Sequence, residues 1–275
     1  TKRPEGTESW KMPQHCPACD APVIKEKGEV AYRCPNEHCP EKMGRHIMYF
    51  VSKEAMDIDG MGKEIVKQLI KSGHIKRISD VYRLKEDDLL SLEGFQKKSA
   101  SKLISNIEKS KKTTLPRFIM GLDIRYVGST TAEMLAGAIK DIWDLQTMTE
   151  EELSYLEGVG TKVAHAITEH FHDDEKLQEI EDLLKLGVAP QKAEVIQGHD
   201  FSGKTFVLTG SLEKFTRDEA GKLIKERGGK VSNSVGKHTD IVVVGESPGS
   251  KYDKAVKLGI LVLSEQAFVQ QLGLK

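Results

Sequence analysis

The sequence predicts a multidomain chain: a small four-cysteine finger, an all-α domain of four tandem repeats of helix, tight turn and helix, and a small α/β domain with a parallel sheet. Three observations carry that expectation. All the cysteines lie between positions 16 and 39. Short glycine-bearing stretches recur with their first glycine position at 60, 94, 126 and 158. The last 76 residues alternate apolar β-rich runs with amphipathic ones. A chain of 275 residues holds two or three units of ordinary domain size.

The finger comes first. Cys16, Cys19, Cys34 and Cys39 follow the spacing C-x2-C-x14-C-x4-C. A C-x-x-C pair on a tight turn lets two thiolates converge, and a second pair beside it completes a tetrahedral four-sulfur site suited to zinc. The intervening residues are long enough for a hairpin, Val23–Lys25 against Val30–Arg33, turning at Lys27-Gly28-Glu29. Two disulfides or a redox pair are the competing reading. His15 and His38 beside the cysteines are the competing ligands. A segment this short cannot bury a core of its own, so the metal would hold the fold, contributing about 10–16 kcal/mol of apparent binding energy. Four protein ligands close the coordination shell and leave no position for activating water. The finger is expected over 14–45, after a connector, 1–13, whose lack of an initiator Met reads as part of something longer.

The repeats follow, over 46–186. The stretches are Ile58-Asp-Gly60-Met-Gly62, Leu92-Glu-Gly94-Phe-Gln96, Ile124-Arg-Tyr126-Val-Gly128 and Leu156-Glu-Gly158-Val-Gly160. Four residues beyond each second glycine position stand Val66, Ala100, Ala132 and Ala164, small enough for close helix packing. Glycine permits positive φ at the turn. The backbone N–H groups that open the next helix then form a nest suited to one phosphate. Such turns hold sugar-phosphate backbone and read no base edges. A helical solenoid of similar period does not require this turn pattern. The stretches resemble the helix-hairpin-helix DNA-binding motif. Candidate DNA contacts are Gly60, Gly62, Lys63, Gly94, Lys97, Lys98, Gly128, Gly158, Gly160 and Lys162. Gln96 and Tyr126 stand where glycine is expected, so the second and third turns are expected to grip less well.

Residues 187–199 read as a polar linker. Beyond it, over 200–275, the order is β-α-β-β-α-β-α. Thr205–Thr209 and Ile241–Val244 are strands, the latter buried in the middle of a parallel sheet. Arg217–Arg227 is a helix with Thr216 as N-cap and Asp218 and Glu219 in its first turn. This segment resembles a BRCT domain, through FSGKTFVLTGSL, Gly228-Gly229, Lys237-His238-Thr239-Asp240-Ile241-Val242-Val243 and the Lys251 to Ile260 stretch. Phe268 stands where such domains often carry Trp. By the same resemblance Thr209, Gly210 and Lys254 are candidates to hold a phosphate.

Taken in order, the finger, four helix-hairpin-helix units and BRCT domain resemble the C-terminal half of the bacterial NAD-dependent DNA ligases, over essentially the whole chain. The resemblance implies nick sealing in three steps: a lysine is adenylated by NAD, AMP passes to the 5′-phosphate, and the 3′-hydroxyl attacks. That lysine belongs to a K-x-D-G motif, absent here: Asp59-Gly60 is preceded by Asp57, not lysine. No catalytic residue is therefore expected, with NAD and Mg2+ serving only a domain outside this sequence. The implied partners are nicked double-stranded DNA and the other domains of the same ligase, with the protein monomeric, cytoplasmic and nucleoid-associated. A repair scaffold with the same binding modules is the alternative.

Other classes fit poorly. No apolar run is long enough to span a membrane. The net charge of −1 conceals +4 over 51–112, −9 over 113–199 and +3 over 200–275, so two segments can face a polyanion. The acidic run His170–Asp182 is expected to face away from DNA or toward another domain. Gly198 through Thr205 spells a phosphate-loop pattern, but Lys204-Thr205 leads into a strand where that loop needs a helix.

Overall fold

The computed structural model describes residues 12–25, 28, 30–192 and 199–273. The connector up to residue 11, Lys27 and Glu29 of the expected turn, and residues 193–198 of the expected linker, Gly198 included, lie outside the described residues. The chain divides at Lys192 into two compact units.

The first unit opens on the finger, where isolated antiparallel bridges join His15 to Pro22 and Ile24 to Arg33. Helix α1 (Pro40–Phe50) starts directly after Cys39, with proline in its first turn, where a missing N–H costs nothing. The four repeats are then built as helix pairs: α1 and α2 (Lys63–Lys71), α3 (Glu86–Leu90) and α4 (Lys97–Ser110), α5 (Leu115–Gly121) and α6 (Ser129–Ala138), and α8 (Glu150–Ser154) and α9 (Thr161–Phe171). A 3-10 turn (Ile78–Arg83) and the short α7 (Asp144–Thr147) lie between pairs, and α10 (Asp174–Lys185) follows the last. One apolar core runs through the unit from Ile47 to Val188. Val66, Ala100, Ala132 and Ala164 are all fully buried in it.

One element was not legible beforehand. Strand β1 (Lys112–Thr114) pairs in parallel with β2 (Ala189–Gln191). Residues 187–191, read from sequence as the start of a linker, are thus tied to the helical unit. Lys192 continues the attachment, its ammonium donating to the carbonyls of Gly137 and Ile139, both at 3.0 Å.

Most of the acidic run lies in helix α10. It packs on the 3-10 turn, where Arg83 pairs with Asp182 at 2.9 Å and Glu179 accepts from the Ser79 N–H at 2.6 Å. Arg77 reaches the same two carboxylates at 3.7 and 3.8 Å. The Arg83 guanidinium holds the Asp182 carboxyl below the usual range, while burial raises that of Glu179.

The second unit is a four-stranded parallel sheet in the order β4 (Lys230–Ser232), β3 (Thr205–Thr209), β5 (Ile241–Val244), β6 (Leu261–Ser264). Helices α11 (Arg217–Lys225), α12 (Ser250–Lys257) and α13 (Glu265–Gln271) complete the β-α-β-β-α-β-α order. Thr216 caps α11, accepting from the Glu219 N–H, while Glu219 returns the bond to the Thr216 N–H at 2.7 Å. Phe268 is fully buried and stacks parallel on Phe201, centroids 5.9 Å apart. Thr205 opens a strand, so the helix that a phosphate loop requires is not there.

Candidate metal centre, hairpin tips and phosphate pocket

The finger gathers its four sulfurs. Cys16 and Cys39 Sγ lie 3.8 Å apart, Cys19 and Cys34 Sγ 3.5 Å apart, and all four fall within 4.8 Å of one another. A tetrahedral zinc with about 2.3 Å bonds to sulfur separates its ligands by about 3.8 Å, so the set fits the ion. The approach is local: Asp20 turns back at φ +59°, and its N–H donates to the Cys16 carbonyl at 2.8 Å. A backbone hydrogen bond from Ala21 lowers the Cys19 thiol, whereas burial pushes Cys34 up to about 12. The histidines take no part: His15 is exposed, and His38 lies 3.8 Å from the Glu175 carboxylate.

The four hairpins superimpose in their chemistry. Gly60, Gly94 and Gly158 take φ of +89°, +83° and +80°, and Tyr126 takes +68° at the equivalent place. The residues at the second position, Gly62, Gln96, Gly128 and Gly160, are each the N-cap of the following helix. Their carbonyls accept from Val66, Ala100, Ala132 and Ala164 at 2.9–3.0 Å. Sequence had missed an alternation. Asp57 and Asp123 precede the first and third turns with φ of +54° and +52°, while no such residue precedes the second and fourth. The repeated aspartate was the only available signal.

The two glycine positions are glycine for different reasons. At the first, positive φ excludes ordinary side chains. At Gly62, Gly128 and Gly160, φ is −72°, −99° and −81°, and an added Cβ would meet nothing within 4 Å. Neither the fold's backbone nor its packing demands glycine there. None of the three caps its helix with a side chain, where Ser, Asp or Asn would serve better. What glycine provides is unobstructed approach to the first backbone N–H groups of a helix. The second turn is closed in comparison: the Gln96 N–H donates to Ser99 Oγ at 3.0 Å. Lys63, Lys97, Lys98 and Lys162 are all exposed in the first turns of their helices.

The turns are also braced across repeats. Asn106 donates to the Asp59 carbonyl at 2.8 Å, and Arg117 donates to the Ala55 carbonyl at 2.7 Å.

In the second unit a cavity of about 350 Å³ opens at the end of β3. Thr209, Gly210, Ser211, Arg217, Ser250 and Lys251 line it. Gly210, at φ +79°, sits so close to the Glu246 carbonyl that a Cβ would lie 2.6 Å from it. Lys254 is exposed and outside the lining, because α12 begins at Ser250 and turns Lys251 toward the cavity.

Fold and metal site together define a chain of C4 zinc finger, helix-hairpin-helix and BRCT modules. Comparison with known families agrees. The NAD-dependent DNA ligase C4 zinc finger domain matches residues 15–40 and a SAM-like helix-hairpin-helix tandem residues 52–109. A helix-hairpin-helix motif matches 117–180, and the BRCA1 C Terminus (BRCT) domain 197–272. Similar curated proteins are DNA ligases, from Protochlamydia amoebophila (49% identical, 98% of this chain, 41% of that protein) and Caldicellulosiruptor saccharolyticus (45%, 100% and 41%). The chain therefore carries the zinc-finger, helix-hairpin-helix and BRCT domains of the NAD-dependent DNA ligases. It spans 41% of the length of these relatives. Among the described residues, no helix is long and apolar enough to cross a membrane.

Proposed function

We propose that this chain is the duplex-gripping part of an NAD-dependent DNA ligase, holding nicked double-stranded DNA through its backbone without reading sequence. The observation that carries this is the use of glycine at Gly62, Gly128 and Gly160, where the fold itself does not need it. A phosphate oxygen brought to each helix start meets N–H donors and the positive helix end, with Lys63 and Lys162 beside the first and fourth turns. In this reading Gly60, Gly94 and Gly158 shape the tips, while Lys97 and Lys98 supply charge at the closed second turn. Adenylation by NAD, Mg2+ and the joining step belong to the portion of the relatives that this chain does not span. The chain's own residues bind and orient the nick, and its zinc supplies rigidity when bound. The molecule acts as a monomer beside the other domains of its ligase.

Titration of this chain with a nicked duplex from about 50 to 200 mM salt tests the reading. About four phosphate contacts predict an affinity loss on the order of 100-fold. Flat affinity over that range would exclude backbone binding.

A second reading concerns the BRCT cavity, where Thr209, Gly210, Arg217 and Lys251 surround space for one phosphate group near the start of α12. Its source is a DNA end or a phosphoprotein, distinguished by competing a 5′-phosphorylated oligonucleotide against a phosphoserine peptide. A repair scaffold outside the ligases is disfavoured by similarity to DNA ligases along the whole chain.

A further inference from the structure

The third hairpin differs from the other three in two independent ways. Its tip residue is Tyr126, held at φ +68°, where the others have glycine. The other non-glycine residues at positive φ among the described residues are Asp20, Asp57, Asp123 and Ser247, short polar side chains that tolerate that conformation. For a bulky ring it is strained, and strain is retained where something else requires the side chain. The neighbouring position is also reversed in charge. Asp59, Glu93 and Glu157 precede the tip in the other turns, and Arg125 precedes it here. The Arg125 guanidinium lies over the Tyr126 ring, 4.8 Å from its centroid, while 47% of the tyrosine stays exposed.

A glycine would make this turn without strain, as it does three times in the same domain. The turn's backbone therefore does not require the ring. Nor does it fill the core, being half exposed. A guanidinium stacked on a phenol ring offers a flat cationic face, the chemistry that meets the face of a sugar or base. Gly128 meanwhile keeps the helix start open, so the same hairpin can hold a phosphate and a nucleoside together.

We infer that Arg125 and Tyr126 form a stacking contact for a nucleoside of the bound DNA, so that the third hairpin binds through ring contact where the first and fourth bind through phosphate alone. This rests on the duplex-binding reading above.

The test uses the full chain and a nicked duplex, comparing wild type with Tyr126→Gly and Tyr126→Phe. Tyr126→Gly relieves the strain and matches the other turns, so its melting temperature is expected to hold or rise. Its affinity is expected to fall about five-fold or more, in the range of lost base–aromatic stacking, with the salt slope unchanged because no phosphate contact is removed. Tyr126→Phe keeps the ring and should bind within about two-fold of wild type. Wild-type binding with equal or tighter binding by Tyr126→Gly would overturn the stacking role and leave duplex binding standing. A lower salt slope in Tyr126→Gly would overturn it in favour of a phosphate contact. No duplex binding by wild type at low salt would overturn both.

Discussion

Cys39 lies 3.8 Å from Cys16 through sulfur and is at the same time the N-cap residue of α1. The metal site is thus joined directly to a helix whose Ile47 and Phe50 enter the core of the helical unit. Chelation, or Cys39→Ala, should release the finger and fray the start of α1. Hydrogen exchange should rise by at least about ten-fold in 15–43 and stay unchanged in the BRCT unit, whose core is its own. Retained protection after complete zinc removal would mean the finger folds without its ion.

His170 should set an acid limit on stability. It is 8% exposed on α9, and burial, with Lys176 and His46 adding repulsion, drops its pKa to about 3 from the ordinary 6.5. A base whose folded pKa is depressed stays neutral when folded but takes up a proton when unfolded. Stability is therefore full above about pH 6.5 and falls as pH drops toward 3. Between pH 7 and 5 the loss is about 2 kcal/mol. Urea denaturation at both values should show wild type losing about that much more stability than His170→Gln. Equal pH dependence in the two would reject it.

The BRCT cavity separates two lysines one helical turn apart. If it holds phosphate, Lys251→Ala should weaken phosphorylated-ligand binding about ten-fold, the scale of a lost charge-assisted bond, while Lys254→Ala should change it less than two-fold. The reverse order would assign the contact to Lys254, the residue that the BRCT resemblance implies.

Much of this was legible because chemistry fixes position. Four cysteines at tetrahedral spacing and glycines at forced positive φ can be read without coordinates. Thr216 was legible as a cap because its hydroxyl has one nearby use, and it accepts from its helix's first turn. The β1–β2 ladder was not, since Lys112–Thr114 and Ala189–Gln191 are too short to alternate and lie far apart in sequence. Lys254 came from the BRCT resemblance and not from the pattern of its helix, and the lysine a turn earlier, Lys251, is the one that lines the cavity. Tyr126 read as a weakened turn because its letter is not glycine; its backbone nevertheless takes the glycine conformation.

The most direct test is the double substitution Gly62→Leu with Gly160→Leu, followed by duplex titration against salt. Ordinary φ and open space at both sites predict that the fold survives, with melting temperature changed by only a few degrees. Closing two phosphate sites should lower affinity by at least about ten-fold and reduce the salt slope by about 2. A folded double variant that binds duplex DNA with wild-type affinity and slope would contradict the hairpin-tip mechanism.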